Sequence, residues 1–258
     1  MGDKLDISGK VAIVTGGNVG IGHSIAATFL KEGASVVTCS RRDYDSPPAA
    51  EGLDDDAKER IVHMTCDVRE ADQIDAVVQR AVDEFGRLDI LVNNAGGSPA
   101  ADASTASPRF FAAIIAINLT GLMVFSQRAN NVMQKQDEGG SIVNISSLAG
   151  LSATPWSVAY GAAKAGVINV TKTFAVTWAP KVRVNCIAPG LIWTEAASFL
   201  APTDAARDAA RQMIPLHRIG EVEEISDVVQ FLCSPASRYI TGETIIVDGG
   251  SHLRGGGG

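Results

Sequence analysis

The sequence predicts an α/β fold: a doubly wound parallel sheet of seven strands with helices on both faces, in a single domain. Short β-branched runs alternate with longer helix-like stretches, which is typical of βαβ units. The apolar fraction, 46% of 258 residues, is enough for a large core. No stretch rich in proline, glycine and serine divides the chain. We therefore expect residues 1–254 to form one domain, followed by a flexible glycine tail at 255–258.

The elements follow from local length and patterning. Seven short runs read as buried strands: Val11–Val14, Ala34–Cys39, Ile61–Thr65, Ile90–Val92, Ser141–Ile145, Val182–Ile187 and Thr244–Val247. Helices are predicted at Ile21–Glu32, Asp72–Phe85, Phe110–Gln134, Ala159–Trp178 and Asp227–Leu232. The acidic stretch Asp43–Glu59 contains two adjacent prolines, and we expect a solvated loop leading into a poor helix.

Composition argues against several classes of protein. The net charge of −7 disfavours a nucleic-acid surface, which needs basic residues to neutralise phosphates. No uninterrupted apolar run approaches the roughly 20 residues that span a bilayer, and the short, charged start does not resemble a secretory signal. The four cysteines lack metal-ligand spacing, so no metal site is predicted and reduced thiols in a cytoplasmic protein are expected.

A glycine-rich turn joins the first predicted strand to the first helix. Glycines let a backbone approach a pyrophosphate, while a helix N-terminus offers free N–H groups and a favourable dipole. The spacing Gly-x-x-x-Gly-x-Gly differs from the usual fingerprint, and glycine-rich turns also close ordinary connections. Its position between strand and helix favours dinucleotide binding, with candidate contacts at Gly16, Asn18, Gly20, Ile21 and Gly22.

Tyr160 and Lys164 are four residues apart, so a helix would place the phenol and the ammonium on one face. A free tyrosine has a pKa of about 10, too high for ready proton exchange at neutral pH. A nearby lysine, or the positive ring of an oxidised nicotinamide, stabilises the phenolate. In isolation such a pair is usually an ordinary helix surface, so its interpretation depends on the surrounding motifs.

Five motifs occur in register: the glycine-rich turn, Asn93–Gly96, Asn144–Ser147, Tyr160 with Lys164, and Pro189-Gly190. In this order and spacing the chain resembles the short-chain dehydrogenase/reductase family from Gly9 to Gly250. Its late segments, Pro215–Gly220 and Tyr239–Gly250, particularly resemble the single-domain branch that includes the β-ketoacyl-carrier-protein reductases. The resemblance implies a Rossmann-type fold, with residues 1–254 as one dinucleotide-binding and catalytic domain. It also implies an NAD(P)-dependent oxidoreductase that interconverts a carbonyl and a secondary alcohol by hydride transfer.

The resemblance also implies catalytic roles. Ser147 would hydrogen-bond the substrate oxygen, with adjacent Ser146 as its rival or as support for the strand end. Tyr160 would exchange the proton as general acid and base. Lys164 would lower the tyrosine pKa and hold the nicotinamide ribose, and Asn118 would link the lysine to solvent through water.

Further residues match cofactor contacts of the family. Asp67 would read the adenine amine, although a capping or surface aspartate is the plain alternative. The remaining implied contacts are Val68, Asn94, Ala95, Gly96, Tyr160, Lys164, Pro189, Gly190, Ile192 and Thr194.

The end of the second strand favours NADP(H). Ser40 stands where an aspartate would bind the ribose 2′-hydroxyl of NAD, and Arg41 and Arg42, which follow at once, suit a 2′-phosphate. NAD(H) is the alternative, with Asp43 folding back to the ribose and the arginines merely solvated.

The segment Trp193–Met213 matches the family's variable substrate lid. Phe199, Leu200 and Met213, with Trp156 as a wall, predict a hydrophobic carbonyl or alcohol substrate, although the apolar lid residues could instead pack against a neighbouring subunit. Relatives of this type are commonly homotetramers, built by pairing long helices and the last strand.

Three other functions can be compared with the motifs in this sequence. A sugar-nucleotide epimerase would share the Tyr160–Lys164 pair but would need glycine at position 19, where Val19 stands, and a longer C-terminal substrate domain. A serine hydrolase would need a Gly-x-Ser-x-Gly elbow, which the sequence lacks. A non-catalytic NADP(H)-binding regulator is the alternative from outside enzymology.

Overall fold

The computed structural model describes residues 4–44, 46–195 and 202–254. Its sheet has seven parallel strands: β1 Val11–Thr15, β2 Ser35–Ser40, β3 Ile61–Thr65, β4 Ile90–Asn93, β5 Gly140–Ile145, β6 Val182–Pro189 and β7 Thr244–Val247. The spatial order is β3-β2-β1-β4-β5-β6-β7. The strand order reverses between β1 and β4, which is where ligands bind in open α/β sheets. The predicted fold class is confirmed.

The helices in the described residues are α1 Gly20–Lys31, α2 Asp55–Glu59, α3 Ala71–Phe85, α4 Pro108–Ile115, α5 Gly121–Met133, α6 Val158–Trp178, α7 Asp204–Met213 and α8 Val222–Cys233. The apolar faces of α1 and α8 bury one side of the sheet, while those of α3 and α5 bury the other. Helix α6 covers the second side next to β5 and β6. Both faces of the central strands are therefore dry, which explains their continuous β-branched sequences.

Two helices differ from the sequence prediction. The helix expected over Asp227–Leu232 begins earlier, at Val222, because Glu221 and Glu224 form a capping box. Helix α7 was not predicted; Thr203 caps it by accepting a hydrogen bond from the amide of Ala206 at 3.2 Å. The predicted glycine tail, 255–258, lies outside the described residues.

The prediction of one continuous helix over Phe110–Gln134 was wrong in one respect. A π-helical segment, Ala116–Thr120, separates α4 from α5. The Asn118 amide donates to the carbonyl oxygen of Ile114 at 2.9 Å, and the side chain is almost completely buried. A π-bulge inserts one residue into a helix and often marks a functional position.

By length and composition alone, the 26-residue stretch Pro108–Met133 could cross a membrane, and 33% of its most apolar window is buried. Helices that cover a sheet in a water-soluble domain meet the same test. Here α5 packs against β4 and β5, and Phe125, Ala129 and Met133 are fully buried. The apolar character of this stretch is therefore used in part for packing on the sheet.

Gly121→Ala tests the close contact between α5 and the segment after β3. A Cβ at Gly121 would lie 2.2 Å from the carbonyl oxygen of Val68. Helix propensity alone would make alanine more stable by about 1 kcal/mol. We expect the reverse, a loss of about 1–3 kcal/mol in the free energy of unfolding by urea titration, because the backbone has to shift.

Gly166→Ala in α6 is the matched control. Its Cβ would meet only the flexible side chain of Leu119. We expect a change within about 1 kcal/mol, since helix propensity offsets a small rearrangement. Equal effects of the two substitutions would contradict the proposed backbone contact.

Candidate active site

The predicted site residues all lie at the carboxyl edge of the sheet or in the helices that reach it. The glycine-rich turn follows β1, and the predicted cofactor contacts continue after β2, β3, β4 and β6. Ser147 follows β5, Tyr160 and Lys164 lie in the first two turns of α6, and Asn118 lies in the π-helical segment. The parallel arrangement thus brings together residues that are up to 178 positions apart, from Gly16 to Thr194.

The glycine-rich turn packs closely on its own backbone and on the Thr38 side chain of β2. A Cβ at Gly22 would lie 2.2 Å from the carbonyl oxygen of Gly16, and one at Gly17 would lie 2.6 Å from Cγ2 of Thr38. The Asn94 amide donates to the Thr15 carbonyl oxygen at 2.9 Å, so the segment after β4 holds the turn in place. A side chain larger than that of glycine would not fit at these two positions without a shift of the neighbouring atoms.

The turn fits the anionic part of a dinucleotide. Val19, the N-cap of α1, makes no side-chain capping bond, and the first turn of the helix carries no acidic residue. Its N–H groups and positive dipole end are therefore available to a diphosphate. Asn18 is 4% exposed, and its Oδ1 atom has no hydrogen-bond partner among the described residues. A buried acceptor of this kind suits a donor on a ligand.

The loop after β6 reaches the same turn. A Cβ at Gly20 would lie 3.2 Å from Cγ2 of Thr194. Ile192 forms a parallel bridge with Gly220, and Gly190 packs closely on Asp248. The predicted nicotinamide loop therefore lies beside the predicted phosphate turn.

The Lys164 ammonium is buried at the junction of α6 and β5. Its Nζ donates to the carbonyl oxygen of Ile145 at 2.8 Å. Burial lowers the pKa of Lys164 to about 8, because a desolvated ammonium is disfavoured. The Nζ atom lies 5.5 Å from the centroid of the Tyr160 ring.

Tyr160 and Ser147 face each other. Burial raises the pKa of the Tyr160 phenol, and the nearby Ser147 hydroxyl lowers that pKa in part. Neighbouring Ser146 is buried and donates to the carbonyl oxygen of Lys164 at 2.9 Å. Ser146 is therefore held in a buried structural contact, while the Ser147 hydroxyl lies near the phenol and accepts from the amide of Ala149 at 3.2 Å.

Asn118 connects the π-helical segment to the loop after β4. Its Oδ1 accepts from the amide of Gly97 at 2.8 Å, and its Nδ2 donates to the Gly97 carbonyl oxygen at 2.9 Å. A Cβ at Gly96 would lie 2.5 Å from this Oδ1 and 3.4 Å from Nζ of Lys164. The four predicted catalytic residues thus border one region.

Asp67 has a competing partner. Its carboxylate forms a bidentate ion pair with Arg69, which lowers the pKa of Asp67. The residue remains 18% exposed at its side chain, beside Val68. The predicted hydrogen bond between this carboxylate and an adenine amine would have to form while the carboxylate stays paired with Arg69.

Sequence reasoning missed two organising residues. Thr15 Oγ1 accepts from the amides of Asn94 and Ala95, each at 2.9 Å. His63, in β3, contacts the glycine-rich turn and the end of β2. The position of Thr15 at the end of β1 could have suggested its role, but nothing local marks His63.

Comparisons with known proteins support the family. Residues 16–252 match the family model described as enoyl-(acyl carrier protein) reductase. A 3-oxoacyl-[acyl-carrier-protein] reductase of Thermotoga maritima is 40% identical over 95% of this chain and 98% of its own length. The chain belongs to the short-chain dehydrogenase/reductase family. The predicted resemblance is confirmed, and the protein is an oxidoreductase of this family.

Two further matches cover almost the whole of this family member. A tropinone reductase homolog of Arabidopsis thaliana is 38% identical over 98% of this chain and 96% of its own length. A solved structure of a Sinorhizobium meliloti 1021 protein, assigned to the short-chain alcohol dehydrogenases, is 35% identical with a TM-score of 0.87. That match covers 97% of this chain and 99% of the other.

The segment predicted to be the substrate lid, 193–213, lies only partly within the described residues. Phe199 and Leu200 lie outside the described residues. Met213, at the end of α7, is 66% exposed, and Trp156, just before α6, is 61% exposed. The Trp156 carbonyl oxygen accepts from the amide of Ala101 at 2.9 Å, which joins the loops that precede α4 and α6.

Lys164→Met tests the burial of the ammonium through the pH dependence of stability. The folded-state pKa, about 8, lies below the ordinary value of 10.5. The unfolded chain therefore binds more protons than the folded chain between these pH values, and the wild type gains stability as pH rises from about 8 to 10.5. The free energy of unfolding of the variant, minus that of the wild type, should therefore fall by on the order of 3 kcal/mol across this pH range.

The measurement is urea unfolding of both proteins at a series of pH values from 7 to 10.5. Lys172→Met, at an exposed position of the same helix, is the control and should follow the wild type throughout. A difference between Lys164→Met and the wild type that stays constant with pH would show that the ammonium is not desolvated.

Proposed function

We propose that this protein interconverts a carbonyl and a secondary alcohol with NADP(H), and that Tyr160 exchanges the proton. One observation carries the proposal: Ser147, Tyr160, Lys164 and Asn118 border one region at the carboxyl edge of the sheet, beside a turn suited to a diphosphate. The names of two relatives, a 3-oxoacyl-[acyl-carrier-protein] reductase and a tropinone reductase homolog, agree with carbonyl reduction.

Each side chain has a distinct task in this proposal. The Tyr160 phenol donates its proton to the carbonyl oxygen during reduction and accepts the alcohol proton during oxidation. Ser147 hydrogen-bonds the same oxygen and orients it. The dinucleotide, when bound, supplies or accepts the hydride.

Lys164 and Asn118 act behind the tyrosine. Burial raises the pKa of Tyr160, and Ser147 lowers it in part. The buried Lys164 cation would hold the ribose and stabilise the phenolate as it forms. Asn118, hydrogen-bonded to Gly97 near the lysine, would continue a proton path toward water.

The preference for NADP(H) rests on the turn after β2. Arg41 and Arg42 are exposed, and neither guanidinium makes a hydrogen bond or salt bridge to another described residue. The Asp43 carboxylate accepts from the amide of Tyr44 at 3.0 Å, within its own turn. Two available cations beside Ser40 favour a 2′-phosphate over a free 2′-hydroxyl.

We extend the proposal to an apolar substrate and to a cytoplasmic homotetramer. Exposed Trp156 and Met213 flank the site and could contact apolar substrate atoms. In the stretch Pro108–Met133 only 33% of the most apolar window is buried, and the edge strand β7 is half-buried along its length. Both features suit burial against other copies of the chain.

Tyr160→Phe tests the proton-transfer role. Removing the hydroxyl should lower kcat by about 10²–10⁴-fold, while the NADPH dissociation constant stays within about threefold. The measurement is a panel of ketones and secondary alcohols followed by NAD(P)H absorbance, with NADPH binding by fluorescence.

Tyr239→Phe is the control for Tyr160→Phe, since Tyr239 is fully exposed. It should keep wild-type rates. Wild-type protein that binds NADPH but turns over no member of the panel would favour the non-catalytic regulator instead.

Ser40→Asp tests the cofactor preference. A carboxylate there should repel a 2′-phosphate and accept hydrogen bonds from a ribose 2′-hydroxyl. We expect the NADPH dissociation constant to rise by about tenfold or more while that for NADH falls. Ser40→Thr, which keeps the hydroxyl and adds no charge, should change the NADPH-to-NADH ratio by less than about threefold. Tighter binding of NADH than NADPH by the unmodified enzyme would contradict the assignment.

A further inference from the structure

His63 makes hydrogen bonds to three separate segments at the edge of the proposed cofactor site. In β3 it pairs with Thr38 of β2, and its Nδ1 lies 3.1 Å from Oγ1 of Thr38. The same Nδ1 lies 2.9 Å from Nδ2 of Asn18 in the glycine-rich turn. On the other side of the ring, Nε2 lies 2.9 Å from the carbonyl oxygen of Arg42. One half-buried imidazole thus joins β3, the turn after β1 and the turn after β2.

The partners determine which ring nitrogen carries the proton. The Arg42 carbonyl oxygen can only accept, so Nε2 donates. The Asn18 amide nitrogen can only donate, so Nδ1 accepts. The neutral imidazole protonated at Nε2 therefore satisfies the Arg42 contact and the shorter Asn18 contact, and the Thr38 hydroxyl can also donate to Nδ1.

Ser40 closes these contacts into a cycle. The Asn18 amide also donates to the Ser40 hydroxyl at 3.2 Å, and that hydroxyl donates to the Arg42 carbonyl oxygen at 3.0 Å. The cycle therefore runs His63–Asn18–Ser40–Arg42–His63. The Tyr44 ring lies edge-on to the imidazole, with centroids 5.3 Å apart.

The cycle holds the backbone that presents the cations. The glycine-rich turn, residues 16–22, contains no lysine or arginine, so it offers a 2′-phosphate no side-chain cation. Arg41 and Arg42 follow Ser40 directly, and the Arg42 carbonyl oxygen is the acceptor of both His63 and Ser40. Holding this turn lowers the ordering that phosphate binding would otherwise require.

We propose that His63 is a positioning residue that determines the preference of this enzyme for a 2′-phosphorylated dinucleotide. It acts through the Ser40–Arg42 turn and the Asn18 amide. The inference rests on the proposed use of NADP(H), and it adds a determinant in β3 that has no contact with the reacting atoms.

His63→Phe removes both ring hydrogen-bonding atoms and keeps a planar ring beside Tyr44. Dissociation constants for NADPH, NADH and 2′,5′-ADP are measured by calorimetry on the full chain. The variant should bind NADPH and 2′,5′-ADP about tenfold more weakly, which is the size of one or two lost hydrogen bonds, and NADH less than threefold more weakly. His63→Gln, which retains a donor and an acceptor, should restore NADPH binding to within about threefold of the wild type.

Two controls separate positioning from general stability. His23→Leu removes another half-buried imidazole, whose Nε2 lies 3.2 Å from the Pro48 carbonyl oxygen, and should leave the NADPH-to-NADH ratio unchanged. In an Arg41→Ala/Arg42→Ala background, His63→Phe should no longer change that ratio, because the cations it positions are absent.

The outcomes are distinguishable. If wild-type enzyme binds NADH more tightly than NADPH, both the cofactor assignment and this inference are wrong. If the wild type prefers NADPH but His63→Phe weakens both cofactors equally, the assignment stands and the positioning role is overturned. His63→Leu provides the same comparison if the phenyl ring prevents folding.

Discussion

The hydrogen bond from the buried Lys164 ammonium to the Ile145 carbonyl oxygen joins two parts of the site that the chain itself separates. Ile145 ends β5, directly before Ser146 and Ser147, while Lys164 lies in the same helix as Tyr160. A desolvated ammonium needs an acceptor, and a backbone carbonyl is one that cannot rotate away. This contact, together with the Ser146 bond to the Lys164 carbonyl oxygen, sets the position of the phenol relative to Ser147.

The residues packed around Lys164 tolerate few changes. Gly96 lies against both the Asn118 amide and the ammonium, so a larger residue there would displace one of them. Asn118 in turn reaches Gly97 from the π-helical segment between α4 and α5. The interruption of the long helix is therefore matched to the position of a cation nearly fifty residues later.

The cofactor half of the site is organised in a different way. Its close contacts are made by glycines: Gly22 meets the Gly16 carbonyl oxygen, and Gly17 meets the Thr38 side chain. Its polar order comes from side chains that bridge strands, with Asn94 holding Thr15 and His63 holding the Arg42 carbonyl oxygen. One half of the site thus depends on a buried charge, and the other on glycine packing and neutral hydrogen bonds.

Features that depend on residues close together in the chain could be predicted from the sequence. β-branched runs located all seven strands, the glycine-rich turn stood between β1 and α1, and the spacing of Tyr160 and Lys164 placed them on one helix. Motif order also indicated the family, which the comparisons confirm.

Contacts between segments that are distant in the chain could be seen only in the tertiary structure. Asn118 is buried in a π-helical segment, and Asp67 forms an ion pair with Arg69. His63 contacts the Arg42 carbonyl oxygen. No local pattern encodes these contacts, because each is made by groups that become neighbours only when the strands align. Burial of the Lys164 ammonium belongs to the same class, since desolvation is a property of everything packed around a group.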